Sequence, residues 1–114
     1  MARTLYVTHN NGLRDVLEYS DNAGKTKTGY DLTAASFTSL TLQIGTPGSF
    51  VIERDSVSHA SEFVLGSDGI VTWTPGSGVV VADDKGEHAC RWVLKTTGYP
   101  QGIVIIADDV EIVD

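Results

Sequence analysis

The chain is predicted to fold as an all-β domain built from two packed sheets, and three observations carry that prediction. Short runs rich in Val, Ile, Thr and aromatic residues recur along its whole length. Turn signals containing Gly, Asn, Asp or Pro separate them at intervals of about eight to twelve residues. No stretch shows the apolar spacing of an amphipathic helix. Roughly seven or eight short strands at this spacing are the pattern of a β-sandwich. With 114 residues, the chain is expected to form one domain, residues 1–114, large enough to bury a core without cross-links.

Leu5-Tyr6-Val7-Thr8 reads as the first strand and Asn10-Asn11-Gly12 as the turn that ends it, since Asn-Gly favours tight hairpin geometry. Residues 13–20 read as a strand on the strength of Val16, Leu17 and Tyr19, although Arg14 to Glu18 also suits one helical turn. Residues 20–29 are polar with two glycines and read as an exposed loop. After Tyr30-Asp31-Leu32-Thr33, residues 37–44 alternate. Leu40, Leu42 and Ile44 fall on one face and Ser39, Thr41 and Gln43 on the other, as in a half-buried strand. Gly45-Thr46-Pro47-Gly48 closes it, Phe50 to Arg54 forms a short strand, and residues 55–60 connect.

The stretch from Glu62 to Lys95 is expected to organise the fold. Glu62-Phe63-Val64-Leu65 and Ile70-Val71-Thr72-Trp73-Thr74 flank Gly66-Ser67-Asp68-Gly69, a hairpin signal. Gly69 and Gly12 are each expected to need positive φ or to lie where a Cβ would clash. Residues 74–78 break the sheet, and Val79-Val80-Val81 plugs one end of the core. Residues 87–95 form the next strand, with Cys90, Trp92 and Leu94 inward and Arg91 and Lys95 outward. The predicted core is therefore Leu40, Leu42, Ile70 or Val71, Trp73, Cys90, Trp92 and Leu94. Gly98-Tyr99-Pro100-Gln101-Gly102 reads as a hairpin loop. Residues 103–107, nearly all apolar, read as a strand buried on both faces or covered by a partner.

Composition excludes several classes of function. The net charge is −7, and it is uneven: residues 1–55 carry six acids and five bases, residues 56–114 nine acids and three bases. No Lys/Arg cluster exists to neutralise phosphates, which argues against nucleic-acid binding. The acidic half reads as a solvated face, or as a negative patch facing a basic partner. No apolar run approaches the length of about 20 residues needed to span a bilayer. The first seven residues lack the apolar core of a signal peptide, so the chain is expected in the cytoplasm or in whatever it assembles into. One cysteine makes no internal disulfide, and Cys90 reads as a small buried hydrophobe.

Nothing in the sequence supports catalysis. His9, His59 and His88 are far apart and lack a second metal ligand at helical spacing. Asp83-Asp84 and Asp108-Asp109 are the adjacent acid pairs, but neighbouring strand residues point to opposite faces, and the spaced-ligand pattern of a calcium loop is missing. No metal or cofactor is expected. There is no Gly-x-Ser-x-Gly elbow, and Gly76-Ser77-Gly78 lacks the lysine of a phosphate loop. Trp73, Trp92 and Tyr99 are the candidates for a sugar-stacking platform. The tryptophans' strand positions suit a core better, which leaves Tyr99 as the best exposed contact.

Three stretches together resemble the N-terminal immunoglobulin-like domain of the phage baseplate upper protein family. The first is Gly24 in a polar loop followed by Asp31-Leu32-Thr33-Ala34-Ala35, with Ala34 where that family usually has Gly. The second is Asp68-Gly69-Ile70-Val71-Thr72-Trp73. The third is Lys85-Gly86-Glu87-His88 running into an alternating strand and a terminal hairpin, with His88 where an aromatic is usual. The resemblance covers about residues 17–113. It implies an immunoglobulin-like two-sheet β-sandwich acting as a virion structural module, made in the host cytoplasm, with no catalytic residue. The expected partners are other phage structural proteins, in multiple copies within a symmetric tail, baseplate or capsid assembly. Family members usually continue into a shaft or receptor-binding part; this chain stops with its last strand and is expected to act as a free-standing piece. Tyr99, exposed in its hairpin loop, is an expected interface residue, as are Val104 and Ile106, because consecutive apolar residues at a strand edge need cover. The alternative function is a small carbohydrate-binding module using exposed aromatic residues.

Overall fold

The computed structural model describes residues 2–9, 11–20 and 22–114. The strands in chain order are β1 (Arg3–Tyr6), β2 (Leu13–Val16), β3 (Glu18–Tyr19), β4 (Thr28–Gly29), β5 (Phe37–Thr46), β6 (Ser49–Asp55), β7 (Phe63–Leu65), β8 (Ile70–Trp73), β9 (Gly86–Thr96) and β10 (Tyr99–Val113). The helical pieces among the described residues are two 3₁₀ turns, Ala60–Glu62 and Ala82–Asp84. The protein is thus all-β. One sheet has the order β1-β10-β9-β5-β6 and a second the order β2-β8-β7, while β3 and β4 form a small ribbon. No helix among the described residues is long and apolar enough to cross a membrane.

Alternation along the long strands builds the core. In the five-stranded sheet Leu42 and Ile105 flank Trp92, and Ile44 and Ala107 flank Cys90, so one face presents a continuous apolar layer. Leu13, Val71 and Trp73 of the smaller sheet join Leu40, Leu42, Ile44, Cys90, Trp92 and Leu94 in a single buried cluster. Phe63 meets Trp92 edge to face, with ring centroids 6.4 Å apart. Every residue of the predicted core is buried, Val71 taking the position left open between it and Ile70.

The hairpin between β7 and β8 forms as expected. Gly69 has φ +86°, and a Cβ there would also overlap the Leu17 carbonyl. Gly12 is required for a different reason. A Cβ on it would run into the Trp73 carbonyl, where β2 begins to pair with β8. The Asn-Gly turn is corrected accordingly: β1 and β2 lie in different sheets, so the chain crosses between sheets there instead of making a tight hairpin. Asn10 lies outside the described residues. Asn11 accepts from the Tyr6 N–H and donates to the Thr4 carbonyl, tying the crossover back to β1.

Three other expectations change. The turn after β5 is Pro47-Gly48, and Gly45 (φ +122°) makes a bulge within the strand. The turn after β9 is Thr97-Gly98, so Tyr99 to Gly102 belong to β10, which bulges between Tyr99 and Ile103. Of the three valines at 79–81, Val80 is buried and Val81 exposed.

Candidate interaction face

The first strand pairs parallel with the end of the last one, Arg3 opposite Val110 through Tyr6 opposite Val113. That pairing covers only the C-terminal part of β10. Residues 103–107 pair with β9 on one side, and no described strand pairs with them on the other. Alternate residues of an unpaired strand edge leave N–H and C=O groups without ladder partners, open to another chain.

Side chains along this segment alternate. Ile103, Ile105 and Ala107 pack against the core, while Val104 and Ile106 point outward and are 51% and 77% exposed. Burial on both faces within the chain is therefore corrected: one face is buried and the other bare, which leaves the alternative of cover by a partner. Pleating forces this, because consecutive apolar residues in a strand cannot share a face.

The rest of the outer face looks different. In register with Ile106 lie Arg91, Gln43 and Glu53 on the next three strands. Arg91 Nε donates to Gln43 Oε1 at 2.7 Å, and Gln43 Nε2 donates to Glu53 Oε2 at 2.7 Å. The Arg91 guanidinium sits over the Phe50 ring, 5.2 Å from its centroid, a cation–π contact. These side chains satisfy one another. The two apolar residues stand on a segment of β10 that no described strand pairs with on its far side.

Tyr99 is 62% exposed but belongs to another region. With Tyr19 and Tyr30, whose rings lie 4.8 Å apart, it lines an open hollow of about 450 Å³ that Leu94 and Ile103 also line. The structure thus brings Val104 and Ile106 together and separates Tyr99 from them. Tyr19 and Tyr30 were not singled out by sequence reasoning. Their only signal was two tyrosines flanking a polar loop.

The tryptophans are not available for stacking. Trp73 and Trp92 are fully buried, and each indole N–H donates to a carboxylate, Trp73 to Glu62 Oε1 at 2.9 Å and Trp92 to Asp15 Oδ2 at 2.6 Å. Burial raises the Glu62 pKa, but the bonds from Arg54 and Trp73 outweigh it and leave the acid below its usual value. The motif Asp31-Leu32-Thr33 is a local turn. Asp31 Oδ1 accepts from the Thr33 hydroxyl and N–H, which lowers its pKa, while Leu32 enters the core.

No three His, Cys, Asp or Glu side chains converge as a metal site among the described residues. Cys90 is buried, and burial pushes its thiol up to about 12, out of the range of a reactive thiolate. No protein-family model and no curated protein sequence matches this chain.

Proposed function

We propose that this protein is an immunoglobulin-like structural module of a bacteriophage virion, joining or decorating a tail, baseplate or capsid through protein–protein contacts. Strand order supports the immunoglobulin-like reading. In such domains strands B, E and D share one sheet and C, F and G the other. In the same chain order β2, β8 and β7 share one sheet here, and β5, β9 and β10 the other. The disulfide that joins B to F in antibody domains has no counterpart, since the single cysteine, Cys90, lies on β9.

The observation that carries the contact role is the bare apolar pair Val104 and Ile106 on an unpaired strand segment. A chain that met only water would be expected to carry charge or proline there. The three stretches that resemble the baseplate upper protein family supply the setting, a virion. The test is the particle. Gold-labelled antibody against this chain is expected to mark purified phage particles carrying its gene, at symmetric positions. Absence of both label and peptides of this chain from such particles overturns the reading.

The hollow ringed by Tyr19, Tyr30 and Tyr99 favours a second reading, a carbohydrate-binding module. Glycan binding that disappears in Tyr99→Ala while the fold persists would support it over the first.

A further inference from the structure

We infer that residues 103–107 are the seat of a strand donated by another protein, an extended segment of about five residues with apolar side chains at alternate positions and a basic residue beside Asp108 and Asp109. This names the kind of contact made under the virion reading and rests on it. Three observations carry the assignment.

The first is continuity. β1 already adds to this same side of β10, with residue 3 opposite 110 and residue 6 opposite 113. The seat is the direct prolongation of that strand line, and it is vacant among the described residues for the length of 103–107. An incoming strand extends an interface the fold already uses, completing the ladder on the free side of β10.

The second is side-chain chemistry on both faces of the seat. Val104 and Ile106 lie bare on the outer face. On the inner face Ile105 borders a hollow of about 300 Å³ with Val16 and Tyr19, lined also by the polar Glu18, Ser20 and Lys27. Val16 is 45% exposed and Tyr19 39%. A strand on the seat would cover apolar surface with alternate residues on each side, which main-chain pairing alone does not explain.

The third is charge, which selects a foreign strand over a second copy. At one end of the seat Asp108 and Asp109 are exposed in the bulge of β10. The half of the chain from residue 56 carries nine acids against three bases. A second copy would bring the same net charge of −7 to this edge. A basic segment meets the same field favourably.

The experiment uses the isolated protein and an acetylated, amidated peptide, Lys-Val-Thr-Ile-Thr-Val-Lys. Binding is followed by backbone amide shifts and hydrogen exchange. The expected result is slowed exchange and shift changes concentrated at residues 103–107 and at the start of β1. Affinity is expected to fall at least tenfold in Val104→Lys/Ile106→Lys, and at least tenfold when proline replaces the central isoleucine of the peptide. Glutamates in place of the peptide's lysines should weaken binding. Three outcomes overturn the inference: no response up to millimolar peptide, a response centred on the Tyr99 hollow, or self-association of the free protein that the lysine pair abolishes, which makes a second copy the occupant. Failure here with the protein present in particles removes the strand seat alone. Peptide binding by a protein absent from particles removes only the virion setting.

Discussion

Two clasps of the same composition hold the sheets together at opposite margins, and they differ in how they are shielded. At one margin Trp73 on β8 and Arg54 on β6 both reach Glu62, just ahead of β7. The arginine bond is bidentate, Nε to Oε1 at 3.1 Å and an Nη to Oε2 at 2.6 Å. At the other margin Trp92 on β9 and Arg3 on β1 both reach Asp15 on β2. There the arginine gives the carboxylate one bond, of 2.8 Å, and spends another on the Asp108 carbonyl, also 2.8 Å. The Glu62 side chain is 7% exposed and that of Asp15 19%. Each clasp lets a large indole be buried without an orphaned N–H. The Glu62 clasp is committed to the interior. The Asp15 clasp divides its arginine between the core and the bulge of β10, beside the vacant strand seat.

The largest test of this comparison removes the indoles. Trp92→Ala and Trp73→Ala are each expected to cost about 3–5 kcal/mol in denaturant melts. A loss under about 1 kcal/mol at either would break the picture of both as core anchors. Next come the acids. Glu62→Ala leaves Arg54 and the Trp73 N–H facing a less solvated gap and is expected to cost about 3 kcal/mol. Asp15→Ala, at the wetter clasp, is expected to cost about half as much. Equal losses would show that shielding does not distinguish the two.

Arg3→Met should have a smaller global effect, about 1 kcal/mol, with a local signature. Amides near Asp109 and Val110 should exchange faster while those of β8 stay protected, because this side chain ties β1 to the Asp108 carbonyl in the bulge.

Lowering the pH loosens the Glu62 clasp. Glu62 is held below its usual value of 4.5, so it contributes stability that is full above that pH and lost as pH falls through the lower folded value. Asp31 and Asp55, also below their usual 3.8, act in the same sense at lower pH. Melts of Glu62→Gln across this range should therefore fall less steeply on the acid side of 4.5 than those of the parent, though not become flat. The smallest expected effect is that of Val104→Lys, within about 0.5 kcal/mol, since this side chain stands in water. A larger loss would mean that it packs within the chain.

The strands and their inward faces were legible because both depend on nearest neighbours. In residues 37–44 and 87–95 a period of two sorts side chains by face, so Leu40, Leu42, Cys90, Trp92 and Leu94 could be assigned to the core from spacing alone. Gly69 was legible for the same reason, as aspartate-glycine encodes its own turn. The candidate interaction face was half legible. The run 103–107 announced itself as apolar, but Tyr99 was read as part of a hairpin loop, because the bulge that follows it in β10 has no mark in the sequence. Two glycines, 98 and 102, offer two frames for that turn, and pairing with β9 selects one.

By itself, then, the sequence determined an all-β chain, its alternating faces and most of its turns, all set by sterics and hydration over a few residues. Only the tertiary structure decided that β1 lies beside the last strand, more than a hundred positions away, and stops short of covering it. It also decided that Glu62 and Asp15, ordinary surface acids to the eye, serve the two indoles from the opposite sides of the core. These outcomes come from long-range contacts, in which each partner's sequence is compatible with many neighbours. The choice among them is made when both sheets bury their apolar faces and every indole, guanidinium and carboxylate drawn inward must find its bond.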